Sequence, residues 1–184
     1  MSRQNKKLTY IQAAALGGSL LIFVIKWVAY YLTHSNAILS DALESIVNVV
    51  AGALALFSVW WASQPRDESH PYGHGKIEYL TAGIEGVLII LAGITIIIKA
   101  LYDIFLNSHT LLQIDTGLLI ILVSSLLNLI IASTLIYLGK KHRSLAMEAD
   151  GRHLMSDVYT SIGLVAGLVF IKITHLIFID NIIA

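Results

Sequence analysis

Five runs of predominantly apolar residues, each long enough to cross a bilayer, fix the fold class before any single residue is weighed. They lie at about 10–32, 37–62, 78–106, 115–139 and 153–172. A bilayer core takes roughly 20 apolar residues per helix. Lipid offers no partner to an open backbone group, so a spanning segment must be a helix or part of a closed barrel. Long uninterrupted runs with only 2 prolines read as helices rather than short alternating strands. The expectation is an all-α membrane protein: a helical bundle with five full transmembrane helices and the start of a sixth. Composition agrees, with 57% apolar and only 13% charged residues, where a soluble domain carries about a quarter charged. A net charge of zero removes the basic face that nucleic acid needs, and the absence of cysteine removes disulfides, thiolate metal sites and thiol chemistry.

The first run follows a basic Met-Ser-Arg-Gln-Asn-Lys-Lys start but is too long for a signal-peptide core, so it reads as a retained span. A further apolar run begins near Leu176 and reads as the opening of another helix. Arg3, Lys6 and Lys7 precede span one, Arg66 and Lys76 lie between spans two and three, and Lys140, Lys141, Arg143 and Arg152 lie between four and five. The linkers at 33–36 and 107–114 carry no Lys or Arg. By the positive-inside rule this predicts a multi-pass protein with a cytoplasmic N-terminus. The glycines within spans (Gly17, Gly18, Gly83, Gly86, Gly163 and Gly167) are expected to let helices approach.

Ionisable residues inside these spans need an explanation, because a charge at mid-helix costs about 2.5–3.5 kcal/mol on insertion scales. On span two, Asp41, Glu44 and Asn48 fall within roughly 60° of one another and form one polar stripe. Span five opens with Asp150, and its His153 and Asp157 lie one turn apart on one face. Two helices that each present a carboxylate one turn from a second donor can enclose a metal between them. Glu44 and Asp157 supply two negative charges against a dication, and His153 a nitrogen that transition metals favour. Asp41 is either a further ligand or a helix-entry carboxylate capping backbone donors. Lys99 could pair with Asp103 or snorkel, Lys26 could do likewise or pair with another helix, and Glu85 could face the bundle interior. His34, His109, His142 and His175 read as solvated. The linker Asp67-Glu-Ser-His70-Pro-Tyr-Gly-His74-Gly-Lys76 places two histidines and two carboxylates within eight positions, a second candidate for metal.

The strings Ser40-Asp-Ala…Glu44…Asn48, His70-Pro-Tyr-Gly-His-Gly-Lys76-Ile-Glu78 and His153-x-x-x-Asp157 resemble the cation diffusion facilitators, in order and over nearly the whole chain. Members of that family export zinc and related metals in exchange for protons. The resemblance implies a tetrahedral transport site at Glu44, Asn48, His153 and Asp157. The family usually has Asp or His at the first position and Asp at the second. Asn48 is therefore a departure, and a weak zinc ligand, which moves harder ions such as manganese or ferrous iron forward. It also implies a second metal site at Asp67, His70 and His74, and a homodimer steadied by Lys76 through a carboxylate that would lie past Ala184. The family's C-terminal cytosolic domain is absent, so residues 1–184 read as a transmembrane cation-efflux domain truncated near the start of span six.

The expected function is a secondary transporter exporting a divalent cation (zinc, or manganese, iron, cobalt or cadmium) from the cytoplasm by proton antiport. Its partners are the metal, protons, the lipid bilayer and a second copy of the chain, with no organic cofactor and no nucleic acid. The competing reading is a membrane module that binds metal without transport. A membrane-embedded hydrolase lacks its signature, since no His-Glu-x-x-His occurs.

Overall fold

The computed structural model describes residues 3–106, 113–174 and 179–183. The elements are α1 (Arg3–Thr33), α2 (Asn36–Ala62), α3 (Ile77–Leu106), α4 (Ile114–His142), α5 (Leu145–Thr174) and a short helical segment, α6 (Ile179–Ile183). Five helices are long and apolar enough to cross a membrane, and no strand occurs among the described residues.

The fifth helix departs from expectation. It begins at Leu145, about eight residues before the apolar run that announced it, so His153 sits more than two turns inside the helix. Hydropathy reports depth in lipid, whereas the first turns of α5 carry Glu148, Asp150 and Arg152 and are helical for another reason. Arg143 closes α4 in the left-handed conformation (φ 55°). Ser144 then starts α5: its carbonyl accepts from Glu148 N–H at 3.2 Å. Glu78 at the start of α3 accepts from Ser144 Oγ at 2.8 Å and from Ala146 N–H at 3.2 Å, placing a carboxylate on the positive end of α5.

At the other end, Ser35 caps α2 by accepting from Ile38 N–H at 3.2 Å. Asp180 of α6 accepts from Ser35 Oγ and from Asn36 N–H, each at 2.6 Å, fastening α6 to the start of α2. Asp41 therefore does not cap α2. It lies in the second turn with its side chain turned inward.

Helices α1, α2, α4 and α5 form the packed bundle. α3 lies at the periphery, and only Thr81 and Glu85 are fully buried among its described side chains. One apolar cluster (Leu8, Ala15, Val59, Leu135, Met147, Leu154) fills the end that carries the 63–76 linker. Another (Ala29, Ile38, Ile121, Leu164, Leu168, Ile171) fills the opposite end. Buried polar side chains, Lys26, Asp41, Asn48, Asn128 and Asp157 among them, come from the chain between these two clusters, and His153 adjoins Leu154 at the edge of the first. In lipid, apolar contact alone gives little drive to associate, so close backbone approach and polar contacts hold such a bundle.

The glycine expectation is met at two positions. A Cβ on Gly18 would fall 2.6 Å from Ile131 Cδ1, and one on Gly167 would overlap the side chain of Ile183. Gly17, Gly83, Gly86 and Gly163 have nothing within 4 Å. The closest approach of backbone to backbone lies instead between α4 and α5. Cβ atoms there would meet Glu148 N at 2.7 Å from Gly139, and Ile136 N at 2.8 Å from Gly151. Small residues are visible in a sequence, but the face they present is set by the neighbouring helix.

Candidate metal centre

The polar stripe of α2 faces α5 across the bundle. Asn48 is buried and its Nδ2 donates to Asp157 Oδ2, joining the two helices directly. Glu44, half-buried one turn earlier, interacts with Asp157 and His153. Asp157 is wholly buried and His153 is 6% exposed. Asn48 Oδ1, His153 Nε2 and Asp157 Oδ1 are buried without a hydrogen-bond partner. An acceptor left unpaired in a buried site costs about 1–3 kcal/mol, so such a set is poised for a cation that needs electron pairs and brings none. With Nδ2 committed to Asp157, Oδ1 is the atom Asn48 has left to offer. Glu44, His153 and Asp157 do not close to a compact triad with ligand atoms all within 4.8 Å, a spacing that one group of His, Asp and Glu among the described residues does reach.

Asp41 has a different partner. Lys26 of α1, fully buried, donates from Nζ to Asp41 Oδ1 at 2.7 Å. Of the two options open to Lys26, snorkelling or pairing with another helix, the structure has the second. Removing one member of a buried ion pair costs about 3–5 kcal/mol, so this contact holds α1 to α2. With Asp41 paired to Lys26, Glu44 and Asp157 remain as the two carboxyl groups beside His153. Asp41 and Glu44 also line a cleft of about 460 Å³ with Ser40, Ile96, Thr160 and Gly163, which extends past Glu44 to Ala37 and Ile183, away from the linker.

The compact triad is Asp67, His70 and His74, in the linker. Asp67 Oδ1 accepts from His70 N–H at 2.6 Å and lies 3.0 Å from His70 Nδ1, while Asp67 Oδ2 lies 3.4 Å from His74 Nε2. Gly73, at φ +86°, supplies the left-handed residue that this tight loop needs. The two imidazoles lie 4.3 Å apart, and Trp61 meets His74 edge-on at 5.8 Å. His74 is buried and Asp67 is exposed, so the site opens to solvent on one side. The hydrogen bond from the His70 ring holds Asp67 below the usual carboxylate range, with smaller contributions from the His70 backbone N–H and the nearby imidazole charge.

Asp67 therefore keeps its carboxylate charge as the solution is made mildly acidic and stays available to a metal. Affinity at this site, isolated in an Asp157→Ala background, is expected to fall at least tenfold in His70→Ala and in His74→Ala, because each variant removes a ligand nitrogen that transition metals favour. Equal affinity in both variants and the background, measured by calorimetric titration, removes His70 and His74 from the ligand set.

Two buried acidic groups stand apart from both candidate metal sites, and one of them, Glu85, faces the bundle interior as its place in span three allowed. Asp150 of α5 accepts from Gln12 Nε2 of α1 at 2.5 Å, and both side chains are buried. Glu85 is 1% exposed and turned into the bundle. Gln12 could have been found: Gln12, Ser19, Lys26 and Thr33 recur every seven residues along α1, and all four are buried. His34 is exposed, as expected. His142 is half-buried beside Glu78 and Ser144 in a small cleft at the linker end. The side chains of Asp103, His109 and His175 lie outside the described residues, and so does the Lys99–Asp103 pairing.

Comparison with known proteins gives a consistent picture. The family model of the cation efflux transmembrane domain matches residues 13–184. A Synechocystis protein named as transporter sll1263 is 36% identical over 170 residues, covering 92% of this chain and 54% of that protein. The metal cation efflux system protein CzcD of Cupriavidus metallidurans is 31% identical over 173 residues, covering 94% and 52%. The cation-efflux pump FieF of Serratia proteamaculans is 30% identical over 151 residues, covering 80% and 50%. The chain thus spans about half the length of the curated relatives it matches.

Proposed function

Because the chain belongs to the cation efflux family, the cation diffusion facilitators, we propose that it carries a divalent transition-metal cation out of the cytoplasm in exchange for protons. The cargo is bound by Glu44, Asn48, His153 and Asp157. The observation that supports this most is the set of unpartnered acceptors on Asn48, His153 and Asp157, buried where α2 meets α5. Glu44 and Asp157 balance a dication once Lys26 has neutralised Asp41. Protons and metal compete for the same ligand atoms, which is the chemical basis of exchange. The end rich in Lys and Arg is placed in the cytoplasm. The cleft beside Glu44 then lies toward the far side, and alternating access requires states that expose the site to each side in turn. Ile179–Ile183 is read as the first turn of a sixth span, and Lys76, exposed at the linker end, as a contact between two copies of the chain.

The test is metal flux into proteoliposomes bearing the protein, with the pH difference across the membrane varied. Uptake of zinc, manganese, iron, cobalt or cadmium that rises with an opposing proton gradient supports the reading. Stoichiometric binding without flux reduces the protein to a metal-holding module.

Asn48 sets the expected preference. Asn48→Asp replaces a neutral oxygen with an anionic one and removes the amide that donates to Asp157. Zinc affinity is expected to rise by about tenfold, roughly 1.4 kcal/mol. The empty site, with three adjacent carboxylates, should retain protons more strongly and show a steeper pH dependence. Competition between zinc and manganese in the two proteins checks both effects.

A further inference from the structure

Glu85 is the only charged side chain that α3 buries fully among its described residues, and neither of its carboxylate oxygens has a hydrogen-bond partner. Glu78, two turns earlier on the same face of α3, bonds Ser144 and Ala146 at the start of α5, so Glu85 stands level with the turn of α5 that carries Asp150. Asp150 accepts from Gln12 Nε2 through Oδ2, while its Oδ1 is unpartnered. Gln12, wholly buried on a third helix and not itself acidic, leaves its Oε1 unpartnered as well. Three helices thus carry four buried oxygen acceptors without partners at one level of the bundle, against a single amide, Gln12 Nε2, whose remaining N–H can serve one of them at most.

Two carboxylates in a dry interior must be neutralised, because an uncompensated buried charge costs several kcal/mol. A shared proton could do so, but it satisfies one donor–acceptor pair and leaves the other acceptors bare. A dication satisfies all four at once, and an all-oxygen set with two negative charges suits a hard divalent ion. We infer that Glu85, Asp150 and Gln12 form a second buried site for a divalent cation, made wholly of oxygen ligands and distinct from the Glu44–Asp157 site. Asp150 precedes His153 by three residues, about 4.5 Å along α5 toward the linker end. The site therefore lies on the linker side of His153. Its place on a cargo path rests on the transport reading; its capacity to bind a cation does not.

The experiment measures Mn2+ bound at equilibrium to the purified full chain by dialysis and elemental analysis. The background His70→Ala/His74→Ala/Asp157→Ala disables both other sites. About one Mn2+ per chain is expected to remain, with affinity at least tenfold weaker after Glu85→Gln or Asp150→Asn and more modestly weaker after Gln12→Leu. No Mn2+ in the folded background overturns the inference, and it leaves the transport site standing if the parent still binds there. Mn2+ that persists unchanged through Glu85→Gln and Asp150→Asn overturns it too. Electron spin-echo spectra of Mn2+ in the background keep the test independent of how those variants fold. Spectra without imidazole 14N modulation support an all-oxygen site, and imidazole modulation places the ion on His153 and ends the proposal.

Discussion

Asp157→Ala is expected to weaken metal binding at the membrane site by at least a hundredfold, the largest loss of any single ligand. Three losses coincide at this residue. The variant deletes one of the two negative charges that balance a dication, and it deletes the unpartnered Oδ1. It also strands Asn48 Nδ2, whose acceptor is Asp157 Oδ2. Removing one member of a buried charged contact costs about 3–5 kcal/mol, and a hundredfold is about 2.7 kcal/mol, so the stated loss is a lower bound. Asn48→Ala removes a neutral ligand atom and should cost less. Calorimetric titration in a His70→Ala/His74→Ala background, which silences the linker, gives the ranking. If Asp157→Ala binds as the parent does, the membrane site lies elsewhere.

The second large effect concerns packing. Gly151→Leu is expected to abolish the folded bundle, and Gly151→Ala to lower its melting temperature. A Cβ at Gly151 falls 2.8 Å from Ile136 N and 2.9 Å from Leu135 Cβ. The first of these is backbone, which cannot swing aside as the end of a side chain can. Glycine to alanine within a helix ordinarily gains up to about 1 kcal/mol in propensity. Overpacking costs about 1–3 kcal/mol, so the clash decides the sign here. Gly163→Ala provides the contrast: nothing lies within 4 Å of its Cβ, so propensity acts alone and the variant should melt at or above the parent. Thermal unfolding in one detergent measures all three. Equal melting of Gly151→Ala and Gly163→Ala would mean that the α4–α5 seam is looser than described.

The five spans were legible because lipid imposes one rule on every segment that crosses it: roughly 20 apolar residues with the backbone satisfied internally. The same rule hid the start of α5. Leu145–Arg152 is too charged to read as buried in lipid, yet it is capped by Ser144 and Glu78 and is fully helical. The α2 stripe and the His153–Asp157 pair stood out because they break the apolar pattern at helical spacing. Their neighbours did not. Lys26 offered several partners on paper, and only the packing of α1 against α2 selects Asp41. Gln12 carries no charge, so only its place in the seven-residue polar recurrence of α1 marks it, and the packing of α1 against α5 supplies its partner, Asp150. The linker triad was read from residues near one another in the chain, and local spacing is the part of tertiary structure that a sequence states most openly.

The tight α4–α5 seam also bears on how such a chain is made. Taken alone, α5 is a poor candidate for transfer into a bilayer, since Glu148, Asp150, Arg152, His153 and Asp157 crowd its first half. Acidic and basic residues cost about 2.5–3.5 kcal/mol each near a helix centre. α4 has no acidic or basic residue between Asp115 and Lys140, and only Arg143 and Ser144 separate it from α5. Biosynthetic insertion therefore favours the two helices entering as one hairpin. Glycines at 139 and 151 let their backbones meet closely enough for the more apolar helix to carry the polar one across.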